Sequence, residues 1–479
     1  MAKFNIEMLT PEEMEQMKEA TFQILERTGV DIRCAEACDL LKNAGAKING
    51  TIAKIPRELV EESIAQAPSG INIYDRNGNL AMDLSGHNSY FGPGVTCPYF
   101  YDPYTHERRL AVKQDVCNVA KVADALKNID FLMSLCLVSD KTKVLADVHE
   151  VDAMMQNSTK PILTWSFTAE NLSVIIDMAE AVVGGAQALR EKPYLMVYAE
   201  PITPLVHTKE SLEKIILLAR RGVPSVYSPG MSFGGTAPVT LSGALSVALA
   251  DVLTGVVISQ LANPGAPIIC GSNGGALDMR SMQCTYGSPE MAIVDAAGTQ
   301  MYHYWNLPSF GLAGATDGKV IDAQAAWEVT AQIIFAMGAG ANLVHDLGMM
   351  DVGMTGSLAF MVLCDEIVGF AKQLRRGMIV DEENLAGDVI AKVGPGGNFL
   401  MEEHTFRNFR KAMFIPELGL RKSWANWEAD GKKTIADLTH EKVIRLLENH
   451  KPEPLDQEVL QKVQAIVEKA EQSQAKNVE

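Results

Sequence analysis

The sequence predicts an α/β protein built as a (β/α)8 TIM barrel with a helical N-terminal extension and a helical C-terminal tail. Three observations carry this. From about residue 87, short β-prone runs alternate with longer stretches of helical periodicity. Eight such pairs follow one another, and the loops after the β-prone runs are short and rich in Gly, Ser and Pro. A chain of 479 residues, 47% apolar and 21% charged, has the material for a core of that size. An open doubly wound sheet is the competing architecture. It usually has about five or six strands and a Gly-rich phosphate turn, and Gly92-Pro93-Gly94 lacks the rest of that fingerprint.

Residues 1–86, the N-terminal extension, open with the helix start Thr10-Pro11-Glu12-Glu13, run on through Met14, Met17, Phe22 and Leu25 at helical spacing, and break near Gly45 and Gly50. Residues 87–379 form the barrel. Its strands are expected at Tyr90–Gly94, Phe131–Leu135, Pro161–Trp165, Tyr194–Tyr198, Ser225–Pro229, Ile268–Ser272, Ser309–Gly314 and Asn342–Gly348. The helices that follow them are expected at 113–127, 142–157, 169–184, 208–221, 239–262, 287–305, 320–338 and 356–376. Residues 380–479 are more charged, carry Trp424 and Trp427, and end in an amphipathic helix around Gln457–Glu471. This tail is expected to pack against the barrel or a neighbouring subunit, in a homo-oligomer.

Charge and cysteine usage exclude several classes. With 42 basic and 59 acidic residues the net charge is −17, a field that repels polyphosphate and argues against nucleic acid as a partner. Eight cysteines stand singly without CxxC pairs, as reduced thiols do in a cytoplasmic protein. The acidic start MAKFNIEMLTPEEMEQ has no signal-peptide core. The longest apolar stretch, Val239 to Leu261, contains Asp251 and Gln260 and reads as a helix buried in protein, so no membrane is expected.

In such a barrel the chemistry sits in the loops after the strands. Those loops hold Phe91, Tyr99, Phe100 and Tyr101, then Trp165, Tyr198 with Glu200, Tyr227 with Ser228, Asn273, Asp317 with Lys319, and His345 with Asp346. Aromatics are only 6% of the chain, so this concentration predicts a π-lined pocket for a quaternary ammonium group. Each ring there is worth roughly 0.5–2 kcal/mol. The candidate substrate-binding residues are Phe91, Tyr99, Tyr101, Trp165, Tyr198, Tyr227, Asn273, Asp317 and His345. Each also has a plain reading: an aromatic as barrel filler, His345 as a hydrogen-bonded rim residue, Asp317 as a helix N-cap. No HxH, HExxH or GxSxG pattern supports a metal centre or a serine hydrolase, and Lys319 sits too far past its strand for a Schiff base.

The segment Gly314-Ala315-Thr316-Asp317-Gly318-Lys319-Val320-Ile321-Asp322-Ala323-Gln324-Ala325-Ala326-Trp327-Glu328 carries a resemblance to a known family. So do Gly338-Ala339-Gly340-Ala341-Asn342-Leu343-Val344-His345, and Phe91-Gly92-Pro93-Gly94 with Tyr101-Asp102 and Arg108-Arg109. Over essentially its whole length the chain resembles the trimethylamine methyltransferase superfamily, barrel proteins that move a methyl group from a methylated amine to the Co(I) corrinoid of a separate protein. The trimethylamine branch has a pyrrolysine, placed by the resemblance near Asp317–Lys319. This sequence has only standard residues, so it resembles the branch that demethylates quaternary amines such as glycine betaine, proline betaine or carnitine. The resemblance implies cobalamin carried by a partner corrinoid protein and none bound permanently, with no catalytic residue beyond substrate positioning. A quaternary nitrogen leaves as a neutral amine and needs no proton donor, so rings are expected around it, with His345 and backbone N–H groups at a substrate carboxylate. A trimethylamine-type enzyme, a non-catalytic betaine-binding barrel, and a lyase or aldolase using Lys319 or Glu200 are the alternatives.

Overall fold

The computed structural model describes residues 4–478. It is an α/β fold around a curled, seven-stranded parallel sheet. In spatial order the strands are Tyr90–Pro93, Leu343–Leu347, Ser309–Leu312, Ile268–Gly271, Ser225–Tyr227, Leu195–Ala199 and Ile162–Thr164. The remaining predicted strand, near 131–135, is not a regular one. Leu135 takes a left-handed φ of 59°, which interrupts the extended run. The segment still lies between the two sheet edges: Asp130 N donates to Phe91 O (2.6 Å) and Leu135 N to Gly94 O (2.7 Å), while Leu132 N reaches Pro161 O (2.8 Å) on the other side.

Side chains alternate across the strands as the pleat requires. Leu163, Met196, Val226, Ile269, Phe310 and Leu343 point inward into one cluster. Their neighbours Ile162, Leu195, Val197, Val344 and Cys270 face the surrounding helices. Each such buried aliphatic side chain contributes about 1.5–3 kcal/mol relative to exposure. The helices between strands include Ala169–Val183, Lys209–Arg221, Ala323–Ala339 and Leu358–Arg376, started by Thr168, Thr208, Asp322 and Ser357, whose side chains each accept a backbone N–H of the first turn. Asp322 is thus the N-cap here, not Asp317. The helix Leu241–Ala262 is long and apolar enough to cross a membrane, yet its length is packed into the protein, with Asp251 fully buried.

The N-terminal segment differs from the helical extension the sequence suggests. Helices Pro11–Gln23, Ala35–Asn43 and Arg57–Gln66 are joined by strands Val30–Ile32, Lys47–Asn49 and Ile52–Lys54. Three-residue strands between Gly29, Gly45 and Gly50 are too short to leave a two-residue periodicity in the sequence. Val30–Ile32 also pairs in parallel with Val206–His207, which ties this segment to the barrel. A hairpin, Asn72–Tyr74 with Leu80–Asp83, sets Ile73 and Met82 into the inner cluster and closes its base. Beyond residue 380 the described residues contain helices and no strands. Among them, Ile435–Asn449 lies on Leu358–Arg376, and the last, Gln457–Val478, on Ala169–Val183.

Candidate functional site

Inward parity continues one step beyond the core layer. Two residues after Leu163, Met196, Phe310 and Leu343 come Trp165, Tyr198, Leu312 and His345, and all four line a cavity of about 410 Å³ at the C-terminal ends of the strands. Phe167, Tyr286, Glu200, Asp346, Lys214 and Asn273 complete its chemistry. The same parity explains the candidates that lie elsewhere. Phe91 and Tyr227 occupy the outward register. Phe91 is buried under the helices. Tyr227 packs on the helix Leu241–Ala262, where a Cβ at Gly255 would come within 2.1 Å of its ring, and its hydroxyl is 2.7 Å from His207 Nδ1. Tyr99 and Tyr101 stand on a hairpin outside the cavity: Arg108 covers the Tyr99 ring at 3.6 Å, and Tyr101 Oη donates to Lys319 O (2.7 Å).

Asp317 is also outside, and its role is indirect. Its Oδ1 accepts the backbone N–H of Tyr286 at 2.7 Å, while Glu328 accepts from Thr316 Oγ1 and Asp317 N, and Gln332 Nε2 donates to Tyr286 O (2.8 Å). The Thr316–Glu328 stretch therefore braces the loop that delivers Tyr286 to the cavity. Tyr286 escaped the sequence reading, although the seventeen residues between Gly271 and Pro289 form an unusually long post-strand loop, which is where functional side chains concentrate. Lys319 is largely exposed and paired with Asp351, so it is absent from the cavity.

The cavity walls are fixed by buried bonds. Trp165 Nε1 donates to Glu150 Oε2 (2.9 Å), and its ring meets Phe167 edge-on with centroids 4.5 Å apart. Glu150 is fully buried, and desolvation pushes its carboxyl up to about 8 despite hydrogen bonds from Trp165 Nε1 and Val138 N. Tyr198 Oη donates to Glu200, and burial with that neighbouring carboxylate raises the phenol far above its ordinary range. His345 stacks on Phe310 at 4.1 Å; its Nδ1 donates to Gly311 O (2.9 Å), leaving Nε2 3.3 Å from Asp346 Oδ1. Asp346 holds a left-handed φ of 86°, and burial raises its carboxyl. Lys214 donates to Ser166 O (2.7 Å), with burial lowering its ammonium. Asn273 Oδ1 is buried without a protein partner. Rings and carboxylates thus share the cavity, whereas the sequence had suggested rings alone around a cation.

This is a half-open, aromatic, net acidic site at the mouth of a curled parallel sheet, and the match to known proteins agrees with it. The trimethylamine methyltransferase (MTTB) family model matches residues 2–475. The chain belongs to that family. It is 34% identical to trimethylamine methyltransferase MttB of Desulfitobacterium hafniense strain DSM 10664 / DCB-2, over 98% of this chain and 95% of the relative. It is 31% identical to the glycine betaine methyltransferase of strain Y51, over 97% of each. The crystal structure of Methanosarcina barkeri monomethylamine methyltransferase superposes with a TM-score of 0.55 at 13% identity, covering 93% of this chain and 88% of that one, which supports a TIM-barrel-like fold. Among the described residues no three His, Cys, Asp or Glu side chains gather at metal-ligand spacing.

Proposed function

We propose that this protein is a methyltransferase that demethylates a quaternary amine of betaine type, with the Co(I) corrinoid of a partner protein as methyl acceptor. The observation that supports this most directly is the cavity itself: Trp165, Phe167, Tyr198 and Tyr286 with Glu200 and Asp346 in about 410 Å³, a volume and lining suited to a small organic cation. The corrinoid supplies the nucleophile. The protein's part is to hold one methyl group toward the mouth, exclude water and receive the amine product. The leaving amine departs neutral, so no proton donor is required at the nitrogen. Glu200 carries part of its charge in the Tyr198 bond, and Asp346, raised by burial, attracts a cation less strongly than a solvated carboxylate would. The ground state is therefore held without being over-stabilised. Lys214 is the cationic group able to meet a substrate carboxylate, whereas His345, with its Nδ1–H given to Gly311 O, turns Nε2 toward Asp346.

A trimethylamine substrate is the second reading, favoured by the identity to trimethylamine methyltransferases. The two separate in an anaerobic assay of Co(I) cobalamin methylation. At least one betaine should give its mono-demethylated product while trimethylamine turns over slowly. Robust trimethylamine turnover with no betaine activity would refute the betaine assignment, and no methyl transfer from either would refute both.

A further inference from the structure

The barrel and the last two helices bury most of their apolar residues, but residues 378–424, Leu418 apart, do the reverse. Nearly half of the exposed large hydrophobic side chains among the described residues fall in this stretch, about a tenth of the chain, among them Val380, Leu385, Leu400, Met401, Phe406 and Met413. Met401 is 90% exposed and Phe406 78%. The helices Glu382–Leu385, Gly387–Val393 and Glu403–Ala412 bury no residue at all. Hydrogen bonds recorded for residues 382–410 stay within the segment, as in Lys392 to Glu402, Thr405 to Phe399 and Asn408 to His404. Isolated helices shorter than about 12–15 residues are marginal in water, and these have 4, 7 and 10. On the longest, Phe406 and Phe409 lie at i and i+3 and face solvent, and Met413 follows, exposed, just past the helix end. An apolar surface of this kind marks a binding face.

We infer that residues 378–424 form an arm that packs against a second copy of this chain. The arm leaves the barrel at the end opposite the cavity. It follows the C-terminus of Leu358–Arg376, where Arg375 donates to His87 O just before the first strand and Gln373 Nε2 donates to Ala412 O (3.1 Å). A methyl acceptor reaching for the cavity mouth works at the other end. Area gives the same answer. Aromatic side chains bury about 150–250 Å² each, so fourteen large apolar residues, mostly half-exposed or more, offer on the order of 1,000 Å² per copy. Two copies then reach about 2,000 Å², the range of permanent apolar interfaces, whereas transient partners use smaller and more polar ones. A membrane is disfavoured by charge, since Glu382, Glu383, Asp388, Glu402 and Glu403 balance Lys392, Arg407, Arg410 and Lys411.

The test measures the mass of the full-length protein by light scattering after size exclusion, beside the double variant Leu400→Asp/Phe406→Asp. The wild type should run as a multiple of 52.0 kDa and the variant at 52.0 kDa, with circular dichroism unchanged because neither residue is in the core. Amide exchange across residues 403–412 should be markedly slower in the wild type than in the variant. A monomeric wild type, or a variant that keeps the wild-type mass, would overturn the assignment, as would exchange at 403–412 that is equally fast in the wild type and the variant. None of these readouts depends on the identity of the methyl donor.

Discussion

At the cavity, buried polar groups are held by defined partners, Trp165 by Glu150, Tyr198 by Glu200 and His345 by Gly311, with Asn273 Oδ1 the exception. Over residues 382–410 of the arm, apolar groups are exposed and the hydrogen bonds run to neighbours along the chain. The difference separates two ways of recognising a partner. A small ligand is bound by enclosure, so its site must be rigid before the ligand arrives, and the cost is carried by buried bonds. A protein surface is bound by area, and a segment can meet it with apolar side chains that stay exposed until the two meet.

The sharpest way to break this contrast is to change the cavity's charge. Glu200→Gln should raise the betaine concentration for half-maximal rate by roughly ten-fold or more, as expected for a charge-assisted interaction of about 1.5–3 kcal/mol, with kcat unchanged or raised because the substrate's positive charge fades as the neutral amine leaves and the carboxylate favours the ground state more than the transition state. A matching fall in kcat would place Glu200 in the chemical step. Oligomer mass should stay the same, since Glu200 is far from the arm.

A smaller effect is expected from Trp165→Leu. Losing one cation–π ring costs about 0.5–2 kcal/mol, so affinity for a quaternary amine should drop by up to roughly thirty-fold, while an uncharged isostere of the substrate should lose much less. Equal losses for both ligands would reduce Trp165 to a packing residue.

The smallest effect is on stability. Glu150 holds its proton more tightly folded than unfolded, because burial pushes it to about 8. Stability from that preference is complete below the ordinary glutamate range and is lost as pH rises through about 8. The melting temperature should therefore fall by a few degrees across that interval, and Glu150→Gln should flatten the slope even if it lowers the curve. The arm takes no part in this titration, so wild-type and arm variants should share one pH profile.

Much of this architecture was legible in the sequence. The helix bounds near 113–125, 169–183 and 358–376 follow from apolar spacing, because a helix long enough to show several turns repeats its period. The cavity was legible only where strand parity was: Trp165, Tyr198 and His345 sit at inward positions, while Phe91 and Tyr227, one residue out of step, went to the outer core. A strand of three or four residues gives too few alternations to fix its parity by itself. Tyr286 was hidden for another reason, since it enters on a loop braced by Asp317 and Gln332, and such tertiary support leaves no local pattern.

The hairpin that seals the base of the inner cluster has a kinetic consequence under the proposed function. With Ile73 and Met82 closing that end, the cavity opens at the strand C-termini, where the acceptor must also dock. Amine, acceptor and product therefore queue at the same doorway. The amine has to enter first, the acceptor then caps the opening for the duration of transfer, and the demethylated product is trapped until the acceptor leaves. Turnover would obey a compulsory order, and an excess of acceptor would slow the reaction by shutting empty sites before the amine arrives.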